Sequence, residues 1–511
     1  MKVCFVYRRY ENLGVEYLSA VLKQGGHEVD LIYEPALFSG MFTENTFLSK
    51  LLNDSSKTAE AALQSQPRLV CFSLVANDYQ WACNIASLIK SQSNATPIIF
   101  GGIYPTSVPD KILEHDFVDY VCVGEGEEAL LELCNALNNG GKTDIIENIW
   151  VKRNGRIIKN PLRQLTTSLD AFPYPDKELF HETYKGFSVD FYNVIASRGC
   201  VYSCSYCYNS YINILYSGGN GFYRRRSVGN VINELALAKK KYNPRIVAFY
   251  DDCFIADKLW LKELAQEYKA KIALPSFCFI HPSVIDDEVL GYLSDINCHA
   301  VNMGFQTFNE DLRRKYLQRN ESNERTAFAV RRLKEKKIFL YFDIILGLPY
   351  QDEKELVLMA EFINKIKPDS VFISWLTCFP KTSICDLISR EKPYNKEEIH
   401  LGSSGTYYIY TKGLARLGRL IMISNILPCA VFRAIVRMRL YRIFPPLKYS
   451  FSPANAFLLF ITAVFGKIFY RKNSTVISSL RGVLKYYLFF LRKILLKRYV
   501  RTVTVKDLPY G

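Results

Sequence analysis

Three cysteines, Cys200, Cys204 and Cys207, fall within the stretch SRGCVYSCSYCYNS at residues 197–210. The nearest other cysteine, Cys253, lies 46 residues further on. With three and two residues between them, three thiolates from one loop converge on one small centre. Structural zinc is the plain metal reading, but it wants four ligands, and no fourth Cys or His stands nearby. Three thiolates suit a four-iron, four-sulfur cube with one iron left open, although such clusters usually take four. An open iron chelates a small molecule. A purely structural loop is the third reading.

Such a loop needs a frame. From about residue 190 the sequence runs through FYNVIAS (191–197), IVAFYD (246–251), IALPSFCFI (272–280), AVNMGF (300–305), LYFDIIL (340–346) and SVFISWL (370–376), with helical patterns between. Six β/α units predict a partial (β/α)6 barrel of the TIM type over 190–395, with its chemistry at the strand C-terminal ends. The cysteine loop directly follows the first strand. Upstream, residues 1–150 alternate short apolar strands with amphipathic helices, the pattern of a parallel sheet covered on both faces. The expectation is a doubly wound, Rossmann-like α/β domain that binds ligands beyond its strand ends. The loops there are Ser73–Asp78, GGIYPT (101–106) and VGEGE (123–127). Residues 151–189, with the Pro-rich AFPYPDKELF (171–180), read as a linker, and 396–511 as a basic amphipathic helical region.

The net charge of +15 is concentrated in that last region. Residues 411–511 hold 19 Lys and Arg against one acid, Asp507. The amino terminus shows no long apolar run of the secretory type. Most of the 14 cysteines stand singly in apolar runs, as in Cys4, Cys71, Cys122 and Cys278. A reducing, cytoplasmic setting fits, and there a tight Cys cluster reads as a metal or catalytic site. No stretch of about 18 uncharged apolar residues spans a bilayer.

The loop CVYSCSYC matches the CxxxCxxC signature of the radical S-adenosylmethionine (SAM) superfamily, including an aromatic residue, Tyr206, before the third cysteine. The resemblance implies a [4Fe–4S] cluster on Cys200, Cys204 and Cys207, its open iron chelated by the amine and carboxylate of SAM. One electron then cleaves the sulfonium to a 5′-deoxyadenosyl radical, the cofactors carrying the hard chemistry. A reducing donor of flavodoxin or ferredoxin type is the implied partner. FYDDCF (249–254) stands where the superfamily binds the methionine amine, and the carboxylates of Asp251 and Asp252 suit an ammonium; they also suit a cap on the next helix. GFQTFN (304–309) and FDIILGLPYQ (342–351) resemble segments of the oxygen-independent coproporphyrinogen oxidase branch. By that resemblance Gln306, Arg319 and Asp343 contact the SAM carboxylate and ribose, Arg319 with a one-residue shift. A strand-ending turn at Gly347 and Pro349 is the plain alternative for GLP. WLTCFPKTS (375–383) resembles the family's closing segment, with Lys381 where Gly is usual.

The first domain resembles the cobalamin-binding domain of many such enzymes, on its helix 13–26, GGIYPTSVPD (101–110) and DYVCVGEGEEAL (119–130). Ser73, Gly101, Gly102 and Thr106 are then the expected cobalamin contacts. The DxHxxG motif that brings an axial His elsewhere is absent. His27, in GGHEVDLI, reads as a turn residue. A domain that keeps the fold without the cofactor is the alternative, since Gly-rich turns are common at strand ends.

Together these imply a cobalamin-dependent radical SAM enzyme that methylates an unactivated carbon. Oxidative cyclisation or rearrangement is the alternative within the family, and a non-catalytic cluster scaffold the alternative outside it. The stretches 480–501 and 431–444 are basic and apolar together, which suits a membrane surface or a partner helix. They also suit a helical cap on the barrel. Nucleic acid is not expected, since no binding module is present. A peripheral site at the inner membrane face would favour a small-molecule, lipid-like substrate. No residue is assigned to quench the substrate radical.

Overall fold

A computed structural model describes residues 1–8, 11–36, 53–181, 191–217, 222–391, 399–401, 407–444, 446 and 502–505. The chain divides into two compact units, residues 1–189 with 482–511, and most of 190–481.

In the first unit, β1 (Lys2–Arg8), β2 (Glu28–Glu34), β3 (Leu69–Ser73), β4 (Ile98–Gly101) and β5 (Tyr120–Cys122) run parallel in the order β2-β1-β3-β4-β5. They are apolar almost throughout because helices cover both faces. α1 (Leu13–Gln24) begins where the Asn12 side chain accepts from Val15 N–H at 2.9 Å. Such a cap satisfies one of the open N–H groups of the first turn. β6 (Ile149–Arg153) and β7 (Arg156–Ile158) extend the sheet antiparallel beyond β5.

Two expectations change here. The described part of the expected linker, residues 151–181, groups with the first unit, and Asp176 and Lys177 reach into its interior. The C-terminal region is not helical throughout. Thr502–Val505 pairs antiparallel with β2 and closes that edge of the sheet, while Ile399–Leu401 and Tyr407–Ile409 also pair as strands. An open strand edge offers a row of unpaired N–H and C=O groups, so covering one is favourable. The basic stretch 480–501 lies outside the described residues.

The second unit is a six-stranded parallel sheet in sequence order, as the six apolar runs predict. Its strands are β8 (Phe191–Val194), β11 (Ile246–Phe249), β12 (Ser276–Ile280), β13 (Cys298–Gln306), β14 (Phe339–Leu346) and β15 (Ser370–Trp375). A short hairpin of β9 (Ser197–Arg198) and β10 (Arg224–Arg225) follows β8. Burial alternates along the strands. Ser276, Cys278 and Ile280 are buried while Phe277 and Phe279 are only partly so. The first set faces the helices and their large apolar core. The second lines the inner face, where Phe277 and Phe279 meet edge to face at 5.2 Å between centroids, Tyr250 lies 5.6 Å from Phe279, and Tyr341 lies 6.2 Å from Phe277.

The helix Lys412–Ser424 packs on this barrel through Ala415, Leu417, Leu420 and Ile421. The Asn364 side chain fixes its end by donating to the carbonyls of Ser424 and Leu427 at 2.6 and 2.9 Å. Part of the basic region therefore joins the helical layer beside the edge strand β15. The next helix, Cys429–Arg437, and the turn after it leave Val431, Met438, Leu440 and Ile443 exposed.

Candidate cluster and ligand sites

The cysteine loop leaves the barrel at the end of β9, and Cys207 immediately precedes the helix Tyr208–Leu215. Cys204 is buried, and Cys200 and Cys207 are half-buried. Ser205, which the sequence did not flag, is the loop's anchor. It is fully buried, its N–H donates to Leu317 O at 3.2 Å, its hydroxyl to Tyr316 O, and its carbonyl accepts from Ile384 N–H at 3.1 Å. Burial pushes the Cys207 thiol up to about 11 and the Cys204 thiol up as well. Cys200 is raised first by a hydrogen bond with Cys253, which the fold brings against it across 52 intervening residues.

Among the described residues no three Cys, His, Asp or Glu side chains stand together so that they could hold a single metal ion. The donor chemistry nonetheless fits a cluster. Three soft thiols come from one partly buried loop, and N–H groups point at two of the sulfurs: Tyr202 N–H to Cys200 Sγ at 3.5 Å, and the Asn209 amide to Cys207 Sγ at 3.9 Å. Such donors favour the thiolate form that iron binds.

The expected SAM residues gather at the same strand ends in unequal states. Asp251 is buried, and its carboxylate accepts from Ala196 N–H at 3.1 Å and from the Ser197 hydroxyl at 2.5 Å. It closes the end of β8. Asp252 is open to solvent, and crowding raises its carboxyl while the Asn209 side chain draws it back. Neither caps the following helix, whose cap is Asp257. Of the pair, Asp252 is the carboxylate left open to an ammonium.

Gln306 holds a left-handed φ of 70°. Its amide lies over Gly304, where an added Cβ would come within 2.5 Å of Nε2. Non-Gly residues in that region are costly, and they concentrate at functional sites. Arg319 is buried, donating to Glu321 Oε1 at 2.7 Å, the Tyr206 hydroxyl at 3.2 Å and Gly304 O at 2.8 Å, one bond from each guanidinium nitrogen. Asp343 accepts from the Asn302 amide at 3.3 Å. Glu321 and Asn302 carry no motif, and sequence alone could not have found them.

Burial pushes the Asp343 carboxyl from 3.8 to about 6, the Asn302 amide opposing it. Asp251 rises likewise to about 6. A carboxyl whose folded value is raised binds more protons in the native state. Stability is therefore greatest below pH 4 for these two groups and falls as pH rises towards 6. Urea midpoints between pH 4 and 7 should show this fall, and Asp343→Asn should flatten it.

Lys381 adopts φ +67°, the conformation that glycine takes without strain. The turn therefore keeps a glycine-type backbone with a lysine in it. Lys381→Gly should stabilise the barrel by about 1 kcal/mol, since a left-handed L residue costs roughly that, measurable as a higher urea midpoint.

In the first unit the expected cobalamin contacts sit at the C-terminal edge of β3 and β4. Gly102 has φ +94°, and an added Cβ would meet Leu74 N and O at 2.8 and 2.9 Å, so only glycine lets the two loops approach. Gly101 ends β4 beside it. The Thr106 hydroxyl is occupied, donating to Gly102 O at 2.8 Å and accepting from Gly124 N–H at 3.0 Å. It ties the β4 and β5 loops together. Ser73, at the end of β3, is half-buried, and Val75 and Ile103 leave apolar side chains exposed beside it. An open apolar ledge fits the face of a corrin. His27 lies at the other edge, between the N-terminal amine at 3.2 Å and Asn135 at 3.0 Å. It is a satisfied turn residue.

Residues 194–363 match the radical SAM superfamily, and residues 6–134 match the B12 binding domain. An uncharacterized methyltransferase of Pyrococcus horikoshii is 24% identical over 73% of this chain and 77% of its own. The radical S-adenosylmethionine methyltransferase TsrM of Kitasatospora setae, solved with cobalamin and a [4Fe–4S] cluster, shares the fold. Its TM-score is 0.61 at 18% identity, over 76% of this chain and 75% of that one. The cobalamin-dependent radical enzyme OxsB, solved with aqua-cobalamin and SAM, gives a TM-score of 0.61 at 17% identity, over 97% and 80%.

Proposed function

We propose that this chain, a radical SAM protein with an N-terminal B12-binding domain, transfers a methyl group to an unactivated carbon of a hydrophobic small molecule. It is of the cobalamin-dependent radical SAM methyltransferase type, with a [4Fe–4S] cluster, SAM and cobalamin as cofactors. The observation that carries the reading is the meeting of both domains in one chain with the three-thiol loop at the barrel's strand ends. When bound, these groups supply a carbon radical and a transferable methyl; the protein holds and aims them.

Cys200, Cys204 and Cys207 would hold the cluster. Asp252 would face the ammonium of SAM. Gln306 and Asp343 would offer polar groups to its carboxylate and ribose, with Arg319 and Asp251, each already hydrogen-bonded to the protein, beside them. Ser73, Gly101 and Gly102 would lie under the corrin, with Thr106 fixing their loop.

The aromatic inner wall of Tyr250, Phe277, Phe279 and Tyr341 supports an apolar substrate. The basic turn beyond Cys429 supports contact with an anionic membrane surface, since Val431, Met438 and Ile443 are exposed beside Arg433, Arg437 and Arg442. Each basic residue near such a surface gains about 1 kcal/mol. No described helix is long and apolar enough to cross a membrane. Co-sedimentation with phosphatidylglycerol vesicles checks this, and a protein left in the supernatant removes the membrane from the reading. A flavodoxin- or ferredoxin-type donor would supply the electron.

The decisive experiment is anaerobic reconstitution with iron, sulfide and hydroxocobalamin, then dithionite and SAM, reading 5′-deoxyadenosine and bound corrin together. Both are expected. Deoxyadenosine without corrin would remove methyl transfer through cobalamin. Neither product, with the cluster loaded, would leave a scaffold.

A further inference from the structure

Between its cysteines the loop carries two tyrosines, Tyr202 and Tyr206. Each is held by the same chain of side chains from outside the loop. The Tyr202 ring stacks on His281, with centroids 4.3 Å apart and planes 21° from parallel. His281 follows directly on β12. Its Nδ1 accepts from Ser283 N–H at 3.3 Å, which leaves the protonated Nε2 facing Glu321 Oε2 at 3.4 Å. Glu321 is fully buried and grips Arg319 through its other oxygen at 2.7 Å. Arg319 then donates to the Tyr206 hydroxyl at 3.2 Å. Burial alone would raise the Glu321 carboxyl, but His281 and Arg319 hold it down to about 2, so the chain stays charged at its centre. Arg313 adds a bond to Glu321 O at 2.6 Å.

We propose that His281 is a positioning residue for the cluster loop, one jaw of a clamp that runs Tyr202–His281–Glu321–Arg319–Tyr206 and fixes the spacing of the three thiols from both sides. Tyr202 lies between Cys200 and Cys204, and Tyr206 between Cys204 and Cys207. A loop that must close three thiols on one cube gains from having both intervals fixed in advance, because ordering the loop at binding would cost conformational entropy. Groups that orient metal ligands from behind are commonly worth 10–100-fold in metal retention (about that range). The inference rests on the assignment of the three thiols to a cluster.

The test uses full-length protein reconstituted anaerobically. The rate of iron loss to bathophenanthroline disulfonate is followed as the cluster absorbance decays, and the reduced cluster's electron paramagnetic resonance signal is recorded with and without SAM. His281→Ala and Tyr202→Ala should each lose iron about 10–100-fold faster and broaden the signal. The double variant should be no faster than the faster single, because one contact is lost in each. His281→Phe keeps a ring against Tyr202 but not the pair with Glu321, and should fall between. Wild-type rates and line shapes in the single variants would overturn the clamp, and so would multiplying effects in the double. Should His281→Ala fail to fold, His281→Phe and Glu321→Gln replace it with the same expectation of faster loss. A wild type that takes up no four-iron cluster overturns the thiol assignment and the clamp with it. A wild type that loads, with variants that match it, overturns the clamp alone.

Discussion

Cys204→Ala should lose the cluster and with it all SAM cleavage, whereas Cys253→Ala should keep both. Cys204 is the middle cysteine of the loop and the most buried of the three, seated beside the Ser205 anchor. Alanine there removes one corner of the cube and leaves two thiols, too few to retain it. Because the cofactors carry the radical chemistry, no residual rate remains once they are gone. Cys253 is the informative control. It lies against Cys200, so a reader of the fold alone could count four thiols and infer a closed, four-ligand site. Four protein ligands would leave no position for SAM, since a site filled by its own protein is structural. Iron and sulfide content, cluster absorbance and deoxyadenosine yield separate the two. Loss of the cluster in Cys253→Ala would make it a fourth ligand and exclude the SAM-chelating arrangement.

The six barrel strands were legible because each is a short apolar run closed by polar residues, and each lies within two residues of the observed strand at most boundaries. The cysteine triad was legible because its signal is local: three residues of one type in one loop. What surrounds the triad was not. Glu321, His281 and Asn302 act through neighbours distant in sequence, and nothing in their own vicinity marks them. Asp251 and Arg319 are expected to face a ligand, and each also has protein partners that no motif announces, Asp251 in Ala196 and Ser197, Arg319 in Glu321, Tyr206 and Gly304. A motif identifies a position near a ligand without deciding whether the side chain touches that ligand or shapes the wall. The same limit applies to Thr106, whose hydroxyl bridges two loops. The dipeptide Asp176–Lys177 shows the reverse error. It lies in the Pro-rich stretch that reads as a linker, yet both side chains are buried.

Lys177→Ala should unfold the start of the first unit more readily than any surface substitution could. The Lys177 ammonium is fully buried and pairs with Glu11 at 2.5 Å and Glu16 at 2.8 Å. Next to it, Asp176 accepts from the Lys23 ammonium at 2.5 Å and from the Ser19 hydroxyl at 2.6 Å. The two residues thus dock residues 171–180 onto α1 by charge. Burial drives the Glu16 carboxyl up, while Lys177 outweighs burial at Glu11 and holds that carboxyl below its ordinary value. Without the ammonium, two carboxyls are left facing each other away from water. Breaking a buried ion pair on one side costs about 3–5 kcal/mol, because the remaining charge is uncompensated. That cost belongs to α1 and the strands it covers, so it is read locally. Hydrogen exchange of the α1 amides in the full chain should quicken more than about a hundredfold, at 1.36 kcal/mol per factor of ten. The defect should shrink as pH falls, since a protonated Glu16 needs no counter-charge. Lys177→Met with Glu16→Gln should recover part of the protection, as apolar or neutral replacement of a whole buried pair is often tolerated. Unchanged exchange in Lys177→Ala would mean that residues 171–180 do not belong to the fold of the first unit.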